Sequence, residues 1–329
     1  MSSLPWAESQ MTINAIESAI QTIQAIEHNS ALYDEANFVS RAEAIDYLEF
    51  NVIDRIEGLL QNGDLLDELS VLQMSAANVV RQLEEVDAAL FRRLRAEIRA
   101  GGYAGKAFTD LIDFYIGSIA NRPVANRPVA NRPVASSHSE PNGQGYDNLD
   151  LFVNGLLLYE TLPVETKERE AEMVYYQQTP ARIILEMAER ACLTEKDVFY
   201  DLGSGLGHVP ILVHLLSGAR AKGIECEPAY WAYARACADD LHLSGVEFVN
   251  GDARSAAYAD GTVFFLYTPF VGAMLAEVLE KLWVISKQRT IRIFTYGPCT
   301  QQVARQGWLQ SVLPAADTIY QLGEFQSKL

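Results

Sequence analysis

The amino-acid sequence predicts an α/β protein, a doubly wound and mostly parallel sheet preceded by an all-α helical N-terminal domain. Three observations carry this expectation. Apolar residues recur at steps of three and four through residues 1–120. A proline-bearing repeat then interrupts the chain. Beyond it, short apolar runs alternate with helical patterns, as strands and crossover helices do in a parallel sheet. The expected division is a helical domain over 1–120, a repeat linker over 121–145 and an α/β domain over 146–329.

In the N-terminal part, Ile13, Ile16, Ile20, Ile23 and Ile26 share one helical face, and Ile45, Leu48, Val52, Ile56 and Leu59 repeat the pattern. "QNGD" (61–64) breaks the chain, and a third run carries Leu72, Val79, Leu83, Val86 and Leu90. A fourth helix is expected from Phe108 to Ile119. Such stripes form the core of a bundle, and this domain is where a homo-oligomer would form. Arg92, Arg93, Arg95 and Arg99 precede Gly101, as suits a helix C-terminus, where cations meet the negative end of the dipole. The repeat "ANRPVANRPVANRPV" places Pro123, Pro128 and Pro133 at a period of five. Proline lacks an N–H and forces its predecessor out of the helical region, so a semi-extended linker is expected.

The C-terminal part reads as strands at 198–202, 221–225, 246–250, 262–267, 290–295 and 318–322, with helices over 229–241 and 272–286. In such a sheet ligands bind beyond the carboxyl ends of the strands. "DLGSGLG" lies there on the first strand, and Gly203, Gly205 and Gly207 let the backbone approach a ligand beside a helix N-terminus. The spacing is GxGxG, with His208 where a dinucleotide fold wants its third glycine. Asp201 is poorly placed for a pyrophosphate and well placed for a cation. Glu225 ends the second strand about 22 residues on, suited to ribose hydroxyls, with Glu227 as the alternative by a register shift. Asp252 follows the third strand, where it can accept from an adenine amine or cap the next turn. Three acids at three strand ends suit an adenosine that carries a positive centre.

"YDLGSGLGHV", "GIECE" and "FVNGDA" resemble the first three motifs of class I S-adenosylmethionine-dependent methyltransferases. With "EMVYYQQTPARIILEMAERACLTEKDVFYDLGSG" upstream and "GTVFFLYTPFVGAMLAEVLEKL" downstream, the chain is most similar to histone-lysine methyltransferases of the disruptor-of-telomeric-silencing type. The likeness covers about 170–300 and none of residues 1–145. It implies a Rossmann-like methyltransferase sheet and S-adenosyl-L-methionine as cofactor. It also implies that Asp201, Gly203 and Gly205, with Ser204 and Gly207 in the same loop, hold the methionine end. Glu225 would hold the ribose, and Asp252 with the backbone near Ala253 the adenine. Tyr175, Tyr176 and Thr179 would lead over the cofactor. The chain departs from that family at Ala253, where the histone enzymes carry an aromatic residue, and at Tyr267-Thr268-Pro269-Phe270, where they carry asparagine.

Methyl transfer from a sulfonium is an in-line displacement, so the site must align the acceptor and exclude water. Tyr267, Thr268 and Phe270 are the candidate catalytic residues, two hydroxyls and a covering ring at the fourth strand's end. His208 and His214 read as packed histidines more than as bases. The acceptor is expected to be a protein side chain or a small molecule, with histone-type lysine disfavoured. A nicotinamide oxidoreductase is opposed by the missing third glycine and by Asp252. A non-catalytic adenosyl-cofactor module, or a helical interaction protein with a decayed enzyme domain, is opposed by the intact loop and acids.

Composition sets the outer limits. Hydrophobic residues make up 49% of 329 and charged residues 21%, enough for a real core. A net charge of −17 repels phosphate backbones, so nucleic acid is not an expected partner. Four cysteines without CxxC spacing suggest a reducing compartment, and the five scattered histidines suggest no metal. No stretch approaches the ~20 apolar residues of a membrane span. The cytoplasm is the expected location, with no membrane partner.

Overall fold

The computed structural model describes residues 5–60, 66–117, 146–159, 161–313 and 319–328. The "QNGD" break and the ANRPV repeat therefore lie outside the described residues. The chain divides into two compact units, Met1–Arg93 with Asp113–Asn121, and Leu94–Ile112 with the chain from Arg122 onward.

The first unit is helical, built from α1 (Pro5–Glu27), α2 (Phe38–Leu48), α3 (Asp54–Leu60), most of α4 (Leu66–Arg99) and the end of α5 (Lys106–Ile116). Ile23, Ile45, Leu48, Val52, Leu72, Val79 and Leu83 meet in its core, as their spacing predicts. Ile20 does not join them and is 39% exposed. Arg41 is fully buried there, its Nε donating to Asp87 Oδ1 at 2.7 Å and its Nη1 to the carbonyls of Leu32 and Asp34. A buried guanidinium is tolerated because these acceptors satisfy it. α4 ends where expected: Gly101 takes φ +77° and its N–H bonds the Ile98 carbonyl.

The second unit holds α6 (Asn148–Leu157), α7 (Ala181–Ala191) and a seven-stranded sheet. Its strands are β1 (Val198–Leu202), β2 (Arg220–Glu225), β3 (Val246–Asn250), β4 (Val263–Leu266), β5 (Arg292–Thr295), β6 (Leu309–Ser311) and β7 (Gly323–Ser327). They run in the order β3-β2-β1-β4-β5-β7-β6, with the first five parallel and the last two pairings antiparallel. α8 (His208–Ser217), α9 (Pro228–Asp240), α10 (Gly272–Ser286) and α11 (Cys299–Ala304) connect them. β1 and β4 are buried at every position, and apart from Asp201 near the end of β1 their residues are apolar or aromatic. The chain leaves β1 toward β2 and returns on its other side at β4, so the switch point opens at these two strand ends.

Of the strand expected at 318–322, the described residues 319–322 form none, and the strand is β7, which pairs Phe325 with Ile293 and Gly323 with Thr295. The Gly323 Cα lies so near the Thr295 hydroxyl that a Cβ would come within 2.5 Å of it. Pairing and close approach outweigh the β-propensity of Thr-Ile-Tyr. β6, three residues long, had no sequence signal.

Candidate functional site

The carboxyl ends of β1, β2 and β4 open into a solvent-connected cleft of about 980 Å³. Asp201 is its floor. The side chain is buried, its carboxylate has no hydrogen-bond partner among the described residues, and burial together with the Glu225 charge pushes its pKa well above the usual carboxylate range. Glu225 lies beside it, with Oε2 accepting from the Gly205 N–H at 2.7 Å and Oε1 from the Glu227 N–H at 2.8 Å. The Cys226 N–H and thiol also bond this carboxylate, and burial raises the Glu225 pKa against all of these donors. Glu227, the alternative, is occupied: it caps α9 through the Ala229 N–H and holds Thr166 Oγ1 and the Lys167 N–H.

The glycine loop is packed as tightly as a ligand cradle requires. Gly203 has φ +85° and a Cβ there would lie 2.3 Å from Pro269, while a Cβ on Gly205, at φ +51°, would lie 2.2 Å from the Tyr176 ring. Ser204 lines the cleft with its hydroxyl buried and unpartnered. Gly205 and Gly207 do not line it. Gly207 sits against Ala234 and Phe248 and serves the packing of α8 on its neighbours, so neither Gly205 nor Gly207 lies where it was expected beside the cofactor.

A strap over residues 165–180 covers the strand ends. Tyr230 donates to Glu165 at 2.9 Å, and the Val174 N–H bonds the Pro269 carbonyl at 3.1 Å. Met173 bridges Phe270, and Glu172 accepts from the Ala273 and Met274 N–H groups at the start of α10. Those donors hold the Glu172 carboxyl below its ordinary pKa. Of the expected strap residues, Thr179 is buried and Tyr176 half-buried with its hydroxyl inside, and both line the cleft, whereas Tyr175 lines its rim, 75% exposed, under the Arg169 guanidinium.

Asp252 and Ala253 also line the cleft. Asp252, however, is committed. Its oxygens take the Arg254 N–H at 2.7 Å and the Arg254 guanidinium at 2.6–3.1 Å, which lowers its pKa. The capping alternative holds in this arrangement, and reaching an adenine amine requires Arg254, also bonded to Glu170, to move. Thr268 differs from expectation too. At φ +39° its buried hydroxyl donates to the Tyr296 carbonyl at 3.0 Å and accepts from the Cys299 N–H at 3.1 Å. It pins the β4 turn to the loop after β5, and its hydroxyl is used up in doing so. Phe270 is 6% exposed within the core, and Tyr267 packs edge-on to Tyr296. Both line the cleft.

Sequence reasoning set aside His208, and the structure brings it in. Its Nε2 bonds the Thr179 carbonyl at 3.0 Å, its Nδ1 is buried without a partner in the cleft, and burial lowers its pKa to about 4. Its position just past the glycine loop was the only available signal. His214 is structural, bonded to the Ala219 carbonyl and packed on Gly245.

Residues 167–296 match the family model described as histone methylation protein DOT1. A search of curated proteins found no match. Among solved structures, the RNA methyltransferase from Salinibacter ruber in complex with S-adenosyl-L-homocysteine is 26% identical over 46% of this chain and 92% of that one, at a TM-score of 0.35. A SAM-dependent methyltransferase from Aquifex aeolicus is 15% identical over 45% and 93%, at 0.37. Precorrin-6y C5,15-methyltransferase from Geobacter metallireducens is 16% identical over 47% and 92%, at 0.36. The chain carries a class I S-adenosylmethionine-dependent methyltransferase domain, close to the DOT1 histone methylation family.

Proposed function

We propose that this domain methylates a protein side chain or a small-molecule acceptor, and that Asp201, Glu225 and the backbone at Gly203 and Ser204 hold the cofactor. The observation that supports the site assignment is the buried, unpartnered carboxylate of Asp201 beneath a loop that tolerates no Cβ. An isolated carboxylate is costly to bury unless a cation comes to it, and the cofactor's ammonium group is one. Glu225, lining the cleft at the end of β2 beside the glycine loop, suits a ribose diol. The bound cofactor supplies an electrophilic sulfonium methyl. The chain's part is to orient and to exclude water: the strap closes one side, and Met173, Phe270 and Met274 make that side apolar.

The acceptor enters by Tyr267 and Phe270, which line the cleft, in this reading, whereas Thr268, expected to hold it, has its hydroxyl bonded to the Tyr296 carbonyl and the Cys299 N–H. The turn carries no side-chain amide to aim an amine, which still disfavours a histone-type lysine. The net charge of −17 weighs against nucleic acid. An oligomer through the helical domain stays part of the proposal, and among the described residues no helix is long and apolar enough to cross a membrane.

Calorimetry on Asp201→Asn tests the site. Loss of a hydrogen bond between charged groups costs about 1.5–3 kcal/mol, so affinity for S-adenosylmethionine is expected to fall by about 10- to 150-fold in a folded protein. Unchanged affinity overturns the assignment. For the acceptor, extract fractions are screened for turnover to S-adenosylhomocysteine and the product is identified by mass spectrometry. Efficient methylation of a nucleosomal lysine would reverse the acceptor reading.

A further inference from the structure

Helix α6 lies outside the segment that matches the family model, yet its polar groups converge on the residues that join the strap to α7. Asn154 Nδ2 donates to Gln178 Oε1 at 3.2 Å, and Gln178 Nε2 donates back to Asn154 Oδ1 at 2.6 Å. Gln178 is 2% exposed, so this reciprocal amide pair is its side chain's way of being buried without penalty. The Tyr146 hydroxyl donates to the Gln178 carbonyl at 2.8 Å, and Asp150 Oδ1 accepts from the Ala181 N–H at 2.7 Å. Thr179 is thus held on both sides by the N-terminal half of one short structure.

The Thr179 carbonyl is what the His208 ring meets. A carbonyl only accepts, so the 3.0 Å contact places the proton on Nε2. Burial keeps the ring neutral, which leaves Nδ1 as a bare lone pair, buried and without a partner, on a residue that lines the cleft. A lone pair there favours a ligand N–H, as the Asp201 carboxylate in the same cleft does. The opposite tautomer would present an N–H to a cation.

We propose that Asn154 and Gln178 are positioning residues that fix the Thr179 carbonyl and, through it, the tautomer in which His208 offers Nδ1 to the cofactor's ammonium group. This rests on the cofactor site proposed above. The amide pair touches no reacting atom; it decides which way a neutral imidazole faces its ligand. Side chains outside the family-matched segment therefore set the affinity of the site.

The test uses the full chain with Asn154→Leu, which keeps the volume and removes both hydrogen bonds. Histidine ¹⁵N spectra of the cofactor-free protein, with His208 assigned through His208→Gln, are expected to show the Nε2–H tautomer in the wild type and a mixture in the variant. The Kd for S-adenosylmethionine is expected to rise about three- to tenfold, the range of one ordinary hydrogen bond. The KM for cofactor should follow it, while kcat at saturation stays near wild type and Tm falls, because the buried Gln178 amide loses its partner. The exchange Asn154→Gln with Gln178→Asn rebuilds the pair and is expected to restore both tautomer and Kd. An unchanged tautomer and Kd in folded Asn154→Leu overturns the proposal. If that variant does not fold, Asn154→Ser replaces it, and failure of both to fold shows a structural role and overturns the proposal as well. Asp201→Asn separates the two readings. If it leaves binding intact, the cofactor site is misplaced, whereas the tautomer measured without cofactor judges Asn154 and Gln178 alone.

Discussion

Thr268 illustrates how one side chain changes meaning between sequence and structure. As a hydroxyl at the end of the fourth strand it is a candidate to hold the acceptor. In the fold it sits at positive φ and joins the Tyr296 carbonyl to the Cys299 N–H, so Thr268→Val leaves two buried backbone groups without partners. That should cost about 1–3 kcal/mol in denaturant unfolding, with cofactor affinity unchanged in the folded fraction. A variant as stable as the wild type but slow in kcat would return Thr268 to the acceptor. His208 makes the complementary case. Its pKa, lowered to about 4, means the unfolded chain binds a proton near pH 6 that the folded chain refuses. Stability from this residue is present above pH 6.5 and is lost as pH falls toward 4. His208→Gln is therefore expected to flatten the acid limb of the stability curve, by on the order of 2 kcal/mol at pH 4.5 relative to pH 7. Equal pH dependence in the two proteins would refute it.

At the scale of elements, the strap is the part that sequence reading described least. "ETKEREAEM" looks like a solvated charge run. Its carboxylates instead reach separate elements: Glu165 bonds Tyr230 on α9, Glu170 bonds Arg254, and Glu172 caps α10. Glu227 returns the contact, holding Thr166 and Lys167 while capping α9. Glu227→Ala is expected to lower stability by about 1 kcal/mol through the lost cap. Because the strap is then released at that end, stopped-flow measurement should find faster cofactor dissociation, with the association rate little changed. An unaltered dissociation rate would mean that the strap is held without Glu227. The strands, by contrast, were legible. β1 and β3 occur at the expected residues, and β4 and β5 within one or two, and β4 was legible because a buried parallel strand must be apolar throughout. β7 was misplaced because an antiparallel edge is chosen by pairing with β5, which no local pattern encodes.

At the scale of the molecule, the division expected near residue 120 does not coincide with the compact units. Leu94–Ile112 groups with the methyltransferase sheet, and Arg95 and Arg99 both bond Asp240 at the end of α9, at 2.6–2.9 Å. Gly105 donates to the Leu215 carbonyl at 2.7 Å. A fragment beginning at Gly145 therefore lacks part of its own unit. It is expected to unfold at lower denaturant than the full chain's methyltransferase unit and to regain stability when residues 94–117 are restored. Asp240→Ala in the full chain should cost about 1–3 kcal/mol, since two half-buried guanidinium groups lose their carboxylate. A Gly145 fragment of full stability and cofactor affinity would show that the helical segment is dispensable.

Taken by itself, the sequence determined the class of fold, the glycine loop and the acids at the strand ends. Each of these is local, since a buried strand must be apolar along its length and a close backbone approach needs glycine where it occurs. Tertiary structure decided how each acid is engaged: Asp201 takes no hydrogen bond among the described residues, Glu225 takes backbone N–H groups of Gly205 and Glu227, and Asp252 and Glu227 are held by Arg254 and by the strap. It also decided that Thr268 is a pin, that Gly207 is packing and that His208 belongs to the site. Availability of a lone pair depends on partners distant in the chain, and that is set only when the strands and helices that carry them have met.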